Sequence, residues 1–266
     1  MTESEAGKLK VRIYENRNLL GTDAAEMAAT RINELLETKD MVNIIFAAAA
    51  SQNEFLDAIS RKQVNWERVN AFHMDEYIGL SEDAPQQFGK WLKERIFGKL
   101  PFHRIYYLNG QATDLPAECA RYGELLEQHP PDLTFMGIGE NAHLAFNDPH
   151  VADFRDPRLV KVVDLDEACK QQQVNEQCFG TISQVPAYAL TLSIPALLKA
   201  AYIYCMVPGA SKSEAVYCTL NAGITERCPS TILRTHPNAW LFLDWESASR
   251  ILEEKKDQPP AITKNV

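Results

Sequence analysis

Asp132-Leu133-Thr134-Phe135-Met136-Gly137-Ile138-Gly139 is the stretch on which the reading of this chain turns. A short apolar run closed by glycines reads as a buried strand of an α/β sheet. The glycines then fall at the strand's carboxyl end, where open α/β sheets bind ligands. The segment continues as Glu140-Asn141-Ala142-His143-Leu144-Ala145-Phe146-Asn147-Asp148-Pro149, adding an imidazole and several polar groups to the same loop. Gly137 and Gly139 allow backbone N–H groups close to a substrate, and His143 brings an imidazole, the side-chain type suited to moving protons near neutral pH.

Working outward, apolar β-rich runs recur at Val11–Tyr14, Val42–Ala47, Val69–Met74, Ala201–Val207 and Ala239–Leu243. Between them, apolar residues spaced three and four apart predict helices at Asp23–Glu37, Glu54–Ile59, Gln86–Ile96, Pro116–Leu126 and Lys212–Leu220. This alternation predicts a single α/β domain over residues 1–266, a three-layer Rossmann-like arrangement with a mostly parallel sheet and helices on both faces. Residues 149–186 break the rhythm. They hold a strand candidate, Leu159–Val163, and a glutamine-rich polar run, Glu167–Gln177, which reads equally as a lid beside the site or as a surface excursion. Residues 1–8 and 253–266 have the composition of frayed ends.

With 45% apolar and 24% charged residues in a chain of 266, a full hydrophobic core is within reach. A net charge of -9 without a lysine–arginine cluster argues against nucleic acid as a partner, whereas local cations still suffice for a small anion. The six cysteines are scattered and form no zinc or disulfide pattern, so they read as separate packed thiols. No secretory or membrane-length apolar segment is visible, so a soluble cytoplasmic protein without membrane contact is expected.

Three further segments carry polar groups just after strands. Asp75 and Glu76 are adjacent carboxylates, and only one of two neighbours on extended chain faces a given pocket. An inward Asp75, with its pKa raised by burial, suits proton transfer, and capping of the next helix is the equal alternative. Ala47-Ala48-Ala49-Ala50-Ser51-Gln52 runs from strand to helix start, where phosphate binding and simple capping compete. Lys212, in Pro208-Gly209-Ala210-Ser211-Lys212, opposes the helix dipole at a first turn, so it is either matched by an anion or solvated.

Together these segments resemble the glucosamine-6-phosphate deaminase/isomerase family. The resemblance runs from about Val11 to Leu252 and is carried by MDEYIGL at Met74–Leu80, YLNG at Tyr107–Gly110, GIGENAHLAFNDP at Gly137–Pro149, VPAYALTLSIPALL at Val185–Leu198 and GASK at Gly209–Lys212. The 6-phosphogluconolactonases share the fold but typically carry arginine after the acidic pair, where this chain has Tyr77. The resemblance implies conversion of a hexosamine 6-phosphate to a ketose 6-phosphate and ammonia, without metal or organic cofactor. It assigns ring opening to His143 and proton transfer between carbons 2 and 1 to Asp75, with Asn141 and Asp148 supporting the histidine. It gives the sugar to the amides of Gly137 and Gly139, and the phosphate to Ala49, Ala50, Ser51 and Lys212. Family members occur in more than one assembly, so a homo-oligomer stays open.

The chain departs from the family pattern in several places. Asn141 stands where an aspartate is common, so a weaker relay is expected, because an amide brings no charge to an imidazolium. Asp148 replaces a glutamate, and Ala49-Ala50-Ser51-Gln52 replaces a GGTP-like loop. Glu176-Gln177-Cys178 occupy the region of a family arginine, which leaves Lys170 or Arg234 as candidate substitutes. A lactonase-like hydrolase and a sugar-phosphate-binding protein without catalysis are the competing expectations.

Overall fold

The computed structural model describes residues 1–81 and 83–257. Its strands are β1 (Thr2–Ala6), β2 (Leu9–Tyr14), β3 (Val42–Phe46), β4 (Val69–His73), β5 (Asp75–Tyr77), β6 (Arg104–Tyr106), β7 (Leu133–Met136), β8 (Val160–Asp164), β9 (Tyr188–Leu192), β10 (Tyr202–Val207) and β11 (Ala239–Asp244). Its α-helices are α1 (Arg17–Leu36), α2 (Asn53–Ile59), α3 (Phe88–Leu92), α4 (Leu115–Gln128), α5 (Glu167–Asn175), α6 (Ile194–Leu198), α7 (Ser213–Asn221) and α8 (Ser249–Asp257). Eight strands form the main sheet in the order β1-β2-β11-β10-β7-β3-β4-β6. Every pair in it is parallel except β1 with β2. A second, antiparallel sheet has the order β5-β9-β8.

The main strands are apolar on both faces because alternate residues enter separate cores. Phe135, Tyr204 and Phe242 pack with α1 and α2 through Leu20, Ile32 and Phe55 on one side. Met136, Cys205 and Leu241 pack on the other with Leu126 of α4, Leu197 of α6 and Val216 of α7. This is the expected α/β architecture, with a mostly parallel sheet covered on both faces. Helix α1 begins six residues before the predicted start, at an N-cap where Asn16 accepts from the Leu19 N–H.

Two expectations differ, and one open segment takes a definite form. Residues 1–8 are not frayed: Thr2–Ala6 form an exposed edge strand on β2, whose ladder holds them despite their polar side chains. At the other end the residues from 249 to 257 are helical, and the rest of the tail lies outside the described residues. Most of the polar run Glu167–Gln177 is helix α5 (Glu167–Asn175), started by Asp166, whose carboxylate accepts from the Cys169 N–H. Cys218 and Cys228 are a bonded pair rather than separate thiols, whereas Cys119, Cys169, Cys178 and Cys205 are free. None of the described helices is long and apolar enough to cross a membrane.

Candidate active site

The carboxyl ends of β3, β4, β7 and β10 open into one cavity of about 390 Å³, within the range of small-molecule sites. Its wall includes Ala49, Ala50, Ser51, Asp75, Gly137, Gly139, His143 and Lys212, so residues scattered over more than 160 positions meet at one place. Helix α5 closes one side through Gln172, Gln173 and Glu176.

The loop after β7 holds His143 firmly. Its Nδ1 lies 2.7 Å from Asn141 Oδ1 and 3.0 Å from Asp148 Oδ1. Both neighbours are acceptors, so the network assigns a proton to Nδ1. Nε2 has no partner among the described residues, and the ring borders the cavity. Asn141 Nδ2 donates in turn to Asp148 Oδ1 at 3.0 Å and Asp166 Oδ2 at 3.1 Å. Burial pushes the Asp148 carboxyl up, but the bonds and charge from His143, Asn141 and the Asp166 N–H outweigh it and leave the group below the usual range. The Asn141 amide orients the imidazole, and the Asp148 carboxylate reaches the same nitrogen directly.

Ala142 and Ala145, flanking this histidine, adopt φ of 67° and 50°, a costly conformation for residues with a Cβ. Gly139 also has a role other than the expected one. Its N–H donates to the His143 carbonyl at 3.0 Å and is not free for a sugar, and a Cβ there would overlap the imidazole. At Gly137 a Cβ would crowd the Ser51 hydroxyl, the Gln52 amide and the Met206 carbonyl.

The acidic pair divides its labour. Asp75 lies on the cavity wall, with no hydrogen bond to its carboxylate among the described residues. Burial, reinforced by the charge of Glu76, raises its pKa well above the ordinary value. Glu76 points the other way, accepting from the N–H groups of Phe88 and Gly89 at the start of α3 at 3.0 and 2.9 Å, and from its own neighbour Tyr77. Burial lifts its carboxyl to about 7, against the pull of those three donors. Glu76 thus takes the capping place, and Asp75 is the member of the pair that faces the cavity. Sequence reasoning missed His73. Its Nδ1 meets the Asp75 carbonyl at 2.9 Å while Nε2 accepts from the Leu108 N–H at 2.9 Å. Full burial lowers its pKa to about 4, so it stays neutral and pins the backbone that carries Asp75.

Two cations, Lys212 and Arg95, also line the cavity. Lys212 is buried rather than solvated and lies 3.5 Å from Glu176 Oε1. Arg95 also lines the wall, held by Asn53 Oδ1 at 3.1 Å and stacked over Trp91. The two candidate substitutes do not reach the cavity. Lys170 faces Glu167, and the Arg234 guanidinium donates to the Leu220 and Ala222 carbonyls. Arg95 escaped notice because it sits on a π-helical turn, Lys93–Phe97, that shifts the phase of the helix predicted there. Ser51 accepts from Gln52, whose amide nitrogen also reaches the carbonyls of Met136 and Met206 and so ties the loop to the ends of β7 and β10.

Residues 15–242 match the family model described as glucosamine-6-phosphate isomerases/6-phosphogluconolactonase. A glucosamine-6-phosphate deaminase of Bacillus cereus (strain G9842) is 33% identical over 236 residues, covering 89% of this chain and 88% of that protein. The solved structure of a monomeric glucosamine-6-phosphate deaminase superposes with a TM-score of 0.82 at 30% identity, over 90% of this chain and 98% of the other. The 6-phosphogluconolactonase of Thermotoga maritima superposes with a TM-score of 0.72 over 88% and 98% of the two chains, but at 18% identity it shares the fold alone.

Proposed function

The chain belongs to the glucosamine-6-phosphate isomerase/6-phosphogluconolactonase family, and on that premise we propose that it converts a hexosamine 6-phosphate to a ketose 6-phosphate with release of ammonia. The observation that carries this reading is that His143, held at Nδ1 by Asn141 and Asp148 with Nε2 left open, shares one cavity with an Asp75 whose carboxylate has no hydrogen bond among the described residues and whose pKa is raised by burial.

The roles follow from the geometry. His143 Nε2 takes the proton of the carbon 1 hydroxyl and passes it to the ring oxygen as the bond from that oxygen to carbon 1 breaks and the carbon 1 carbonyl forms. Asp148 and Asn141 stabilise the imidazolium that forms when the ring takes up a proton at the other nitrogen. Asp75 takes the proton from carbon 2 and returns it to carbon 1 through an enediol-like intermediate. Water then adds at carbon 2 and ammonia leaves, so the reaction consumes one water for each ammonia. Lys212, Ser51 and the Ala49–Ala50 backbone hold the phosphate, and Arg95 adds a second cation. A binding protein without catalysis has no use for the buried carboxylate behind His143, so the relay favours the enzyme.

Incubation with glucosamine 6-phosphate should release ammonia and fructose 6-phosphate in equal amounts. Asp75→Asn should lower kcat by about 10³-fold with an unchanged thermal midpoint. Absence of turnover across the glucosamine, galactosamine and mannosamine 6-phosphates would sink the proposal.

A further inference from the structure

The cation end of the cavity contains its own anion. Glu176, at the C-terminal cap of α5, places Oε1 3.5 Å from the Lys212 ammonium. The same oxygen accepts from Gln172 Nε2 at 2.7 Å, so the carboxylate is held by an amide on one side and faces the cation on the other. Lys212 is only 6% exposed and Glu176 22%, which protects the contact from the screening that weakens surface pairs. The second cation, Arg95, is spread over Asn53 and the Trp91 ring and does not offset the carboxylate at the lysine.

A phosphate group carries about -1.5 to -2 charges at neutral pH. It cannot settle on Lys212 beside an ionised Glu176 without displacing that carboxylate or facing its repulsion. We propose that Glu176 is a specificity-determining residue, an internal counter-ion that an anionic ligand must displace from Lys212. The phosphate alone then binds weakly, and only a ligand whose sugar also engages the rest of the cavity recovers the loss. The displacement is local. Gln172 Oε1 stays on the Glu140 N–H at 2.9 Å and the Asp166 carboxylate on Asn141, so α5 keeps its hold on the His143 loop while its last turn gives way. Gln177, just beyond, already has φ of 60°, which marks the point where the chain leaves the helix.

This inference rests on the reading that the Lys212 end receives a phosphate, and its test separates the two. Inorganic phosphate is titrated calorimetrically, at fixed ionic strength, into the full chain and into Glu176→Gln, Glu176→Ala and Glu167→Gln. The last removes an exposed charge from the same helix and serves as the control. Both Glu176 variants should bind phosphate about tenfold more tightly, and Glu167→Gln should match the parent. With glucosamine 6-phosphate, KM should fall in the Glu176 variants and stay at the parent value in Glu167→Gln. Unchanged or weaker phosphate binding in both, or equal tightening in the control, overturns the proposal. If phosphate binding tightens but no hexosamine phosphate turns over, the function falls and the counter-ion role stands. If turnover is present and neither phosphate affinity nor KM responds, the counter-ion role falls alone.

Discussion

The two ends of the cavity are built on opposite plans. At the His143 end the polar groups interlock: Nδ1 has two acceptors, Asn141 donates to two carboxylates, and strained backbone at Ala142 and Ala145 is held in place around them. At the Lys212 end a carboxylate, Glu176, already faces the lysine, and Gln52 Oε1 is buried without a partner among the described residues. Proton transfer depends on fixed distances, and a preorganised relay supplies them before substrate arrives. Anion capture instead tolerates rearrangement, because a flexible ammonium can exchange one oxygen for another.

The largest way to break this contrast is at Gly139. An added Cβ must push the imidazole off Nδ1's acceptors, and a displacement of about 1 Å costs on the order of 10²-fold in rate. Gly139→Ala should therefore lower kcat by about 10² or more while leaving inorganic phosphate affinity at the Lys212 end unaltered, as steady-state kinetics and calorimetry would report. A smaller effect comes from Asn141→Asp. This change should not improve the relay, since it removes the donor that bridges Asp148 and Asp166 and leaves three carboxylates together. A fall in kcat of about tenfold is expected, with a lower thermal midpoint. A gain in kcat would mean that the charge behind His143 is limiting after all.

The legibility of the chain divides along the same line. The strands of the main sheet stand out in sequence because burial on both faces leaves runs that are apolar but for one residue, as at Val42–Phe46 and Leu133–Met136. The His143 loop is legible because its partners lie within eight residues of one another. Helix α5 is not, because it covers a cavity rather than the core, so its polar face and its cavity face carry similar residues and no apolar stripe forms. Arg95 depends on a π-turn and Glu176 on the approach of α5 to the end of β10, both set by packing remote from either residue. His73 reads as one more position in a buried strand, and its role appears only when Leu108 and the Asp75 carbonyl bracket the ring.

The acidic pair sharpens the comparison by titration. Asp75 is raised first by burial and second by the Glu76 charge, so it is ionised as a base only above the ordinary carboxylate range, and kcat/KM should rise with pH along an acidic limb displaced upward. Glu76→Gln removes the second cause and leaves the first. The limb should move to lower pH yet stay above the range of an exposed aspartate, in a pH–rate profile of a variant whose folding is checked by its thermal midpoint. No movement would show that the two carboxylates do not share a field.

Between the two ends stands Tyr77, whose ring packs against Phe88, Phe146 and Phe179. Its hydroxyl is buried without a partner among the described residues, at a point where the fields of Asp75 and Glu176 both reach it. An orphaned hydroxyl costs about 1–3 kcal/mol of desolvation, so removing it should stabilise rather than weaken the fold. Tyr77→Phe should raise the unfolding free energy by about 1 kcal/mol in urea titration at unchanged slope. If KM for glucosamine 6-phosphate is also unchanged, the hydroxyl belongs to neither end of the cavity. A rise in KM of about tenfold beside the same stabilisation would make it a ligand contact, the missing link between the fixed relay and the yielding cation.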